Sequence, residues 1–520
     1  MERSVVSARV SGISGLQTMR RTESCHEQEN WLREDPKYDI ITRLLAPRAV
    51  YHLPSTAALY RPPAMPALKP PKPVLEIARR LEEAGYEAWC VGGAVRDAML
   101  GHPHLDWDLA TSARPEQVRE IFGRRRTVPV GLEFGTVGVL DDFGTLHEVT
   151  TFRRDVKTDG RHAEVEFGAT LEEDLARRDF TINAIAYSPS TDELRDPFGG
   201  RADLVRRVVR AVGDPDARMR EDRLRALRAI RFSARFEFDI DPATLDAIGR
   251  SAPEMGRLSA ERVKQELEKT LEQVKRPSRA LALWKSSGVL RTVIPALADI
   301  SETSLRALDC VPLPTSEVKN YRLLIRAALL FIELGEARAR SALTALKFSN
   351  AESRRIAFLA RAWDEVGKQI VECLVADDPN NSRSFASLRM KGDSASLASL
   401  RMTDTQVRKW VASIGRLDLG IFMRIVGALV EARHSAMAES ARGRLGRLYR
   451  RMRVAARGPI ETADLVVDGD DLRTAGIPPG PLLGKILKAL LDAVLVDPTR
   501  NRRDWLLQEA QRLYADSGHA

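Results

Sequence analysis

At 520 residues the chain is too long for one hydrophobic core, so two to four domains are expected, and a 44% hydrophobic content is enough to fill them. No apolar run is long enough to cross a bilayer, and the first residues lack the charged start and apolar centre of a signal peptide, so a cytoplasmic address is the expectation. Four scattered cysteines without CxxC spacing exclude a disulfide scaffold or structural zinc site, while a net charge of +9 is compatible with a polyanionic partner.

In chain order, residues 1–73 lack helical or strand periodicity and end in a proline-rich run, Pro62–Pro73, which reads as a flexible extension or as sequence upstream of a start at Met65. Val74–Glu83 reads as an amphipathic helix closed by Gly85, and Ala88–Val91 as a strand running into Gly92-Gly93. Strands are expected at Trp107–Leu109, Thr136–Leu140 and Leu146–Phe152, with a helix over Pro115–Phe122 started by Ser112 and Pro115. After Asp214 strand signals nearly vanish and helical periodicity runs to the end. The expected fold class is therefore α+β: a small N-terminal α/β head with a mostly antiparallel sheet, followed by an elongated all-α neck, body and tail. The divisions are a 1–73 extension, a 74–200 head, a 201–275 neck, a 276–460 body and a 461–520 tail. The neck opens with ten arginines against five acids between Arg201 and Arg231. The sequence ASLRM occurs twice, at 386–390 and 398–402, and reads as a surface insertion in the body.

Two short segments carry the chemistry. Val91-Gly-Gly-Ala-Val-Arg-Asp97 places a glycine pair before a helix whose free N–H groups suit a phosphate. Leu105-Asp-Trp-Asp-Leu109 follows. On a strand, Asp106 and Asp108 project to one side and Trp107 to the other, and two adjacent carboxylates repel unless a cation lies between them. Mg²⁺ held for in-line phosphoryl transfer meets that need. Glu148, in the β-prone run His147–Arg153, supplies a candidate third carboxylate. Taken singly, each has a plainer reading: a tight turn, two solvated acids, an exposed strand glutamate. Over Glu221–Ala234, read as one helix, Glu221, Asp222, Arg225 and Arg228 fall within a narrow arc opposite Leu224, Leu227, Ile230 and Ala234. That arc reads either as a ligand-reading face or as an internal ion pair.

These elements, with Arg177-Arg-Asp-Phe-Thr-Ile-Asn-Ala184 and Glu221-Asp-Arg-Leu-Arg225, resemble the ordered motifs of class II tRNA nucleotidyltransferases and bacterial poly(A) polymerases, from about Pro73 to Leu271. A tail element, Asp464–Leu472 with Pro478-Pro-Gly-Pro481, resembles that family's C-terminal region. The resemblance implies a template-independent RNA nucleotidyltransferase using Mg²⁺, with tRNA as partner, CTP and ATP as substrates and pyrophosphate as product. Asp106 and Asp108 would hold metal, with Glu148 as the third catalytic carboxylate. Gly92, Gly93, Arg96, Asp97, Arg178, Arg228 and Arg231 would hold phosphates or other parts of the nucleotide. Asp179 and Asn183 would meet the ribose, and Asp222 with Arg225 would act as a protein template for the base.

The chemistry of that pairing is sound. Cytosine and adenine both present an amino donor beside a ring-nitrogen acceptor, matching a carboxylate and a guanidinium, whereas uracil and guanine turn a carbonyl toward the carboxylate. Asp155–Glu164 matches the family's flexible loop, with Ala163 where the family usually has proline. Val130–Val137 lies closer to the CCA-adding branch than to the poly(A) branch, which stays the alternative. A noncatalytic RNA-binding protein would be expected to have lost the carboxylates, and all three are present. None of the eight histidines is followed by Asp, which excludes an appended His-Asp phosphohydrolase. Nothing points to a membrane or an obligate protein partner.

Overall fold

The structure, a computed structural model, describes residues 68–102, 106–158, 163–311, 319–376, 402–433 and 438–517. The expected extension up to residue 67 and nearly all of the ASLRM duplication lie outside these.

Helix α1 (Lys72–Glu83) starts two residues before its expected position because Pro73 falls in the first turn, where a missing N–H costs nothing. It buries Val74, Ile77, Ala78 and Leu81. Strand β1 (Ala88–Val91) turns at Gly92 into α2 (Gly93–Met99), and β2 (Asp108–Thr111) pairs antiparallel with β1, Val91 opposite Asp108. The strand thus begins at Asp108, not Trp107. Helix α3 (Pro115–Phe122) is capped by the Gln117 side chain accepting from the Arg114 N–H, whereas the expected starter, Ser112, accepts instead from the Glu87 N–H.

Strands β3 (Thr127–Gly131), β4 (Thr136–Leu140) and β5 (Leu146–Thr151) complete one wing of a seven-stranded sheet, and β8 (Ala186–Ser188) and β9 (Glu193–Arg195) the other. The order is β3-β4-β5-β2-β1-β8-β9, antiparallel except for β2 beside β5, as the mostly antiparallel expectation requires. Because side chains alternate, Cys90, Leu109, Val137, Val139 and Val149 face the main core. On the other face Trp89, Val91, Ala110 and Ala186 are covered by Phe152 and by Leu171 and Leu175 of α4 (Leu171–Ala176). The flanks of the predicted loop pair as a hairpin, β6 (Arg153–Thr158) with β7 (Ala163–Phe167), which the polar composition concealed; residues 159–162 are outside the described set.

Beyond the sheet the described residues are helical, apart from two-residue strands, Val208–Val209 and Asp239–Ile240, that pair in parallel. The helices that bear on the site are α5 (Gly200–Arg206), α6 (Pro215–Glu221), α7 (Leu224–Phe236), α8 (Pro242–Ser251) and α9 (Ala260–Gln273). The single helix expected over Glu221–Ala234 is broken: Asp222 is extended (φ −148°, ψ 105°) and its Oδ1 accepts from the Leu224 N–H at 3.0 Å. A short acidic side chain competing for backbone N–H groups ends one helix and starts the next. Further helices lie among the described residues between Pro277 and Ala455, and a separate small core around Leu472, Leu490 and Leu506 holds the last elements together. Among the described residues no helix is long and apolar enough to cross a membrane.

Candidate active site

The β1–α2 turn shows why a glycine stands at position 92. Gly92 has φ +74°, ψ −131°, and a Cβ there would lie 2.9 Å from Nη1 of Arg178, so only glycine lets that guanidinium lie over the turn. Arg178 is held by Asp174 Oδ2 (3.1 Å), and Arg177 by Oδ1 of the same carboxylate (2.8 Å). Asp174 was not singled out from the sequence. Its spacing, three and four residues before two arginines, is the helical ion-pair pattern that could have found it.

Asp108 opens β2 beside Arg178, with Asp106 just before it and Glu148 on the adjacent strand. Trp107 points the other way and is buried. Burial, then Asp106 and Glu148, push the Asp108 carboxyl up to about 7, with Arg178 opposing. Burial and Asp106 likewise raise Glu148. Three acids therefore share one electrostatic neighbourhood, in which burial and mutual repulsion oppose ionisation of Asp108 and Glu148. Among the described residues no group of three or more side chains forms a ready cation cage. An all-oxygen carboxylate set that leaves positions open nonetheless fits Mg²⁺, which takes few protein ligands and completes its shell with water and phosphate.

Asp179 and Asn183 are bound into one network. Asp179 Oδ1 accepts from Asn183 Nδ2 (2.8 Å) and from the Phe180 N–H (2.9 Å), and its Oδ2 accepts from Arg228 Nε (2.8 Å). Burial opposes ionisation of Asp179, but Arg228, Asn183 and that backbone N–H outweigh it and hold the carboxyl below its usual range. Asn183 Oδ1 accepts from Arg96.

Arg96 and Asp97 are interior, not surface, groups. Arg96 donates to Asp97 (2.7 Å) and stacks on Phe232 and Phe236, and Arg235 donates to the other oxygen of Asp97 (3.2 Å). Together they form a strut behind the glycine turn. Arg231 is likewise turned inward, donating to Glu266 of α9 at 2.7 Å with both side chains almost wholly buried. The structure thus does not bring Arg96, Asp97 and Arg231 to an exposed nucleotide surface. Arg178, over the Gly92 turn, lies beside Asp108, and its Nη1 donates to the Asn183 carbonyl (3.5 Å), which links the turn to the Asp179–Asn183–Arg228 network.

At the α6–α7 break Asp222 and Arg225 are each held by other groups. Arg262 of α9 donates to Asp222 Oδ2 at 2.6 Å. Arg225 donates to Glu221 Oε2 (2.6 Å) and to the carbonyls of Arg218 (3.2 Å) and Arg177 (3.0 Å). Glu221 is itself shared with Arg218 (2.6 Å). Arg262 lies forty residues from Asp222, and no local pattern in the sequence announces it.

Residues 88–210 match the family model described as "Poly A polymerase head domain", and 237–301 match "Probable RNA and SrmB- binding site of polymerase A". A CCA-adding enzyme of Geobacillus thermodenitrificans is 45% identical over 243 residues, 46% of this chain and 59% of that protein. The CCA-adding enzyme of Limosilactobacillus reuteri is 32% identical over 461 residues, 86% of this chain and 98% of that protein. The crystal structure of the Bacillus stearothermophilus CCA-adding enzyme in complex with CTP superposes with a TM-score of 0.63 at 31% identity, covering 86% of this chain and all of that one. A glycine turn, a carboxylate cluster and a braced Asp–Arg pair, on a chain that aligns with nearly the whole of such a relative, lead to one conclusion: this chain belongs to the CCA-adding enzyme family, whose catalytic head it shares with poly(A) polymerases.

Proposed function

We propose that this protein adds C, C and A in turn to the 3′ end of tRNA, using CTP and ATP without a nucleic-acid template and releasing pyrophosphate. The observation that carries the reading is the braced pair at the α6–α7 break. Asp222 is fixed by Arg262 and by capping α7, and Arg225 is fixed by Glu221 and two carbonyls. A carboxylate and a guanidinium prevented from swinging offer one acceptor and one donor in a set geometry, which cytosine and adenine satisfy and uracil and guanine do not. The near-full-length similarity to CCA-adding enzymes and the CTP complex of one of them support the same assignment.

In this reading the Gly92-Gly93 turn and Arg178 receive the triphosphate, and Asp179, Asn183 and Arg228 form the wall against the ribose. Asp106 and Asp108, with Glu148, would hold Mg²⁺. Bound there, the metal supplies activation of the attacking 3′-OH and neutralisation of the departing pyrophosphate. Arg96, Asp97 and Arg231 contribute by keeping α2, α7 and α9 in register rather than by touching the nucleotide.

The test is direct. Supplied with tRNA lacking its 3′ end, the protein should add two C residues from CTP alone, nothing from ATP alone, and CCA from both. Long A tracts on unrelated RNA would assign it to the poly(A) branch instead.

A further inference from the structure

The catalytic face of the sheet is covered unevenly. Over β1 and β2 it is closed by Phe152, Leu171 and Leu175, but over β5, β4 and β3 it carries exposed apolar side chains beside Glu148, Thr136 and Thr150. Val130, Phe134 and Leu146 are large hydrophobic side chains exposed by 44%, 41% and 37%. They are not scattered. Leu146 is two residues from Glu148, so both point to the same face, and Gly138 of β4 lies directly opposite Glu148. A methyl group at Gly138 would come within 2.6 Å of Leu146 Cδ1 and 2.9 Å of Val130 Cγ2. Those two side chains therefore converge over the glycine and form a flat apolar ledge beside the carboxylate.

Phe134 borders the same ledge. A methyl at Gly131 would touch Phe134 Cδ2 at 3.7 Å and Thr136 Cβ at 4.0 Å, and the Thr136 hydroxyl meets that of Thr150, again two residues from Glu148, at 3.0 Å. Arg153 donates to the Phe134 carbonyl and lies over its ring. At the Leu146 end the Arg126 carbonyl accepts from the Leu140 N–H (2.8 Å), and Leu140 pairs with Leu146. Arg124 and Arg125, exposed in the turn just before, thus stand at that end of the ledge.

In-line displacement fixes what belongs here. The attacking hydroxyl and the leaving pyrophosphate lie on opposite sides of the phosphorus. The groups suited to triphosphate and ribose, the Gly92 turn with Arg178, Asp179 and Asn183, all lie toward β1 and β8. The attacking end must then arrive from the β5–β4–β3 side. Strand spacing of about 4.8 Å puts the ledge within one nucleotide of Glu148. We propose that the Val130–Phe134–Leu146 ledge is the seat of the RNA primer's 3′-terminal nucleotide, its base and sugar against the apolar surface and its upstream phosphates toward Arg124 and Arg125. The proposal deepens the functional reading above and rests on it. Stacking on an aromatic ring is tolerant of base identity, as it must be when the primer end changes after each addition.

The test is steady-state addition of A to tRNA that ends in CC, with Phe134→Ala and with Leu146→Gln, which keeps the bulk over Gly138. The RNA KM should rise about tenfold while the KM for ATP and the melting temperature stay at their wild-type values, and Phe134→Tyr should restore the RNA KM. An RNA KM within about twofold of wild type for both variants, or an equal rise in the KM for ATP, overturns the proposal. So does a change in sedimentation with an unchanged RNA KM, which would give the ledge to a second copy of this chain. Wild-type protein that incorporates neither C nor A would defeat the functional reading itself, before any variant is compared.

Discussion

Burial, reinforced by Asp106 and Glu148, raises the Asp108 carboxyl to about 7, and this residue gives the sharpest test of the carboxylate cluster. In the metal-free protein the folded value lies above the unfolded one, so the contribution of Asp108 to stability is fully present below the unfolded value of 3.8 and is lost as pH rises through about 7. A bound cation competes with that proton, so Mg²⁺ affinity should fall as pH drops below about 7. Titration calorimetry in buffers of different ionisation enthalpy should register proton release on Mg²⁺ binding at pH 6 and little at pH 8. Asp108→Asn should abolish incorporation with tRNA affinity retained in a filter-binding assay; retained activity would remove the residue from the metal site. Arg231 invites the opposite experiment. As half of a buried pair with Glu266, its replacement by Ala should cost roughly 3–5 kcal/mol of stability, read as a lower denaturant midpoint. A nucleotide ligand would instead leave the midpoint unchanged and raise the KM for CTP.

Among the elements, the α6–α7 break matters most to specificity. Periodicity correctly placed Leu227, Ile230 and Ala234 in the core, because an amphipathic pattern reports which side of a helix is buried. It could not show the break, because an aspartate that leaves the helix to cap the next one has the same spacing as one that stays in it. Nor could it show Arg262, whose contact with Asp222 spans two separate helices. Arg262→Ala removes the guanidinium bonded to Asp222 Oδ2 and should lower discrimination between CTP and UTP several-fold, with less effect on kcat for CTP; unchanged discrimination would make the contact merely structural. In the head, the glycine pair and the strands β1, β2, β4 and β5 with their carboxylates were legible because they are local signals of period two and of turn chemistry, whereas β3, β8, β9 and the β6–β7 hairpin were not expected. The inward turn of Arg96, Asp97 and Arg231 was not, since a charged residue on a helix gives no sign of whether a distant acid will meet it.

For the whole molecule, the α+β division of a mostly antiparallel head and a long run of helices followed from where strand patterning stops. A buried arginine is one of the groups that join the neck to the helices after it. Arg326, fully buried, donates to the carbonyls of Leu308, Leu271, Val274 and Lys275 and so ties the end of α9 to the following helices. Arg326→Ala should lower stability by on the order of 3–5 kcal/mol, with the loss visible as a reduced melting temperature while base choice is preserved in whatever enzyme stays folded. The claim on which the molecule's function turns is that a protein surface, not a nucleic acid, chooses the base. Its most direct test is the ratio of kcat/KM for CTP over UTP on tRNA lacking its 3′ end, in wild-type protein and in Asp222→Ala. Removing one carboxylate worth roughly 1–3 kcal/mol of discrimination should cut that ratio by about 5- to 150-fold. A ratio unchanged in a variant that still incorporates CTP would contradict the account.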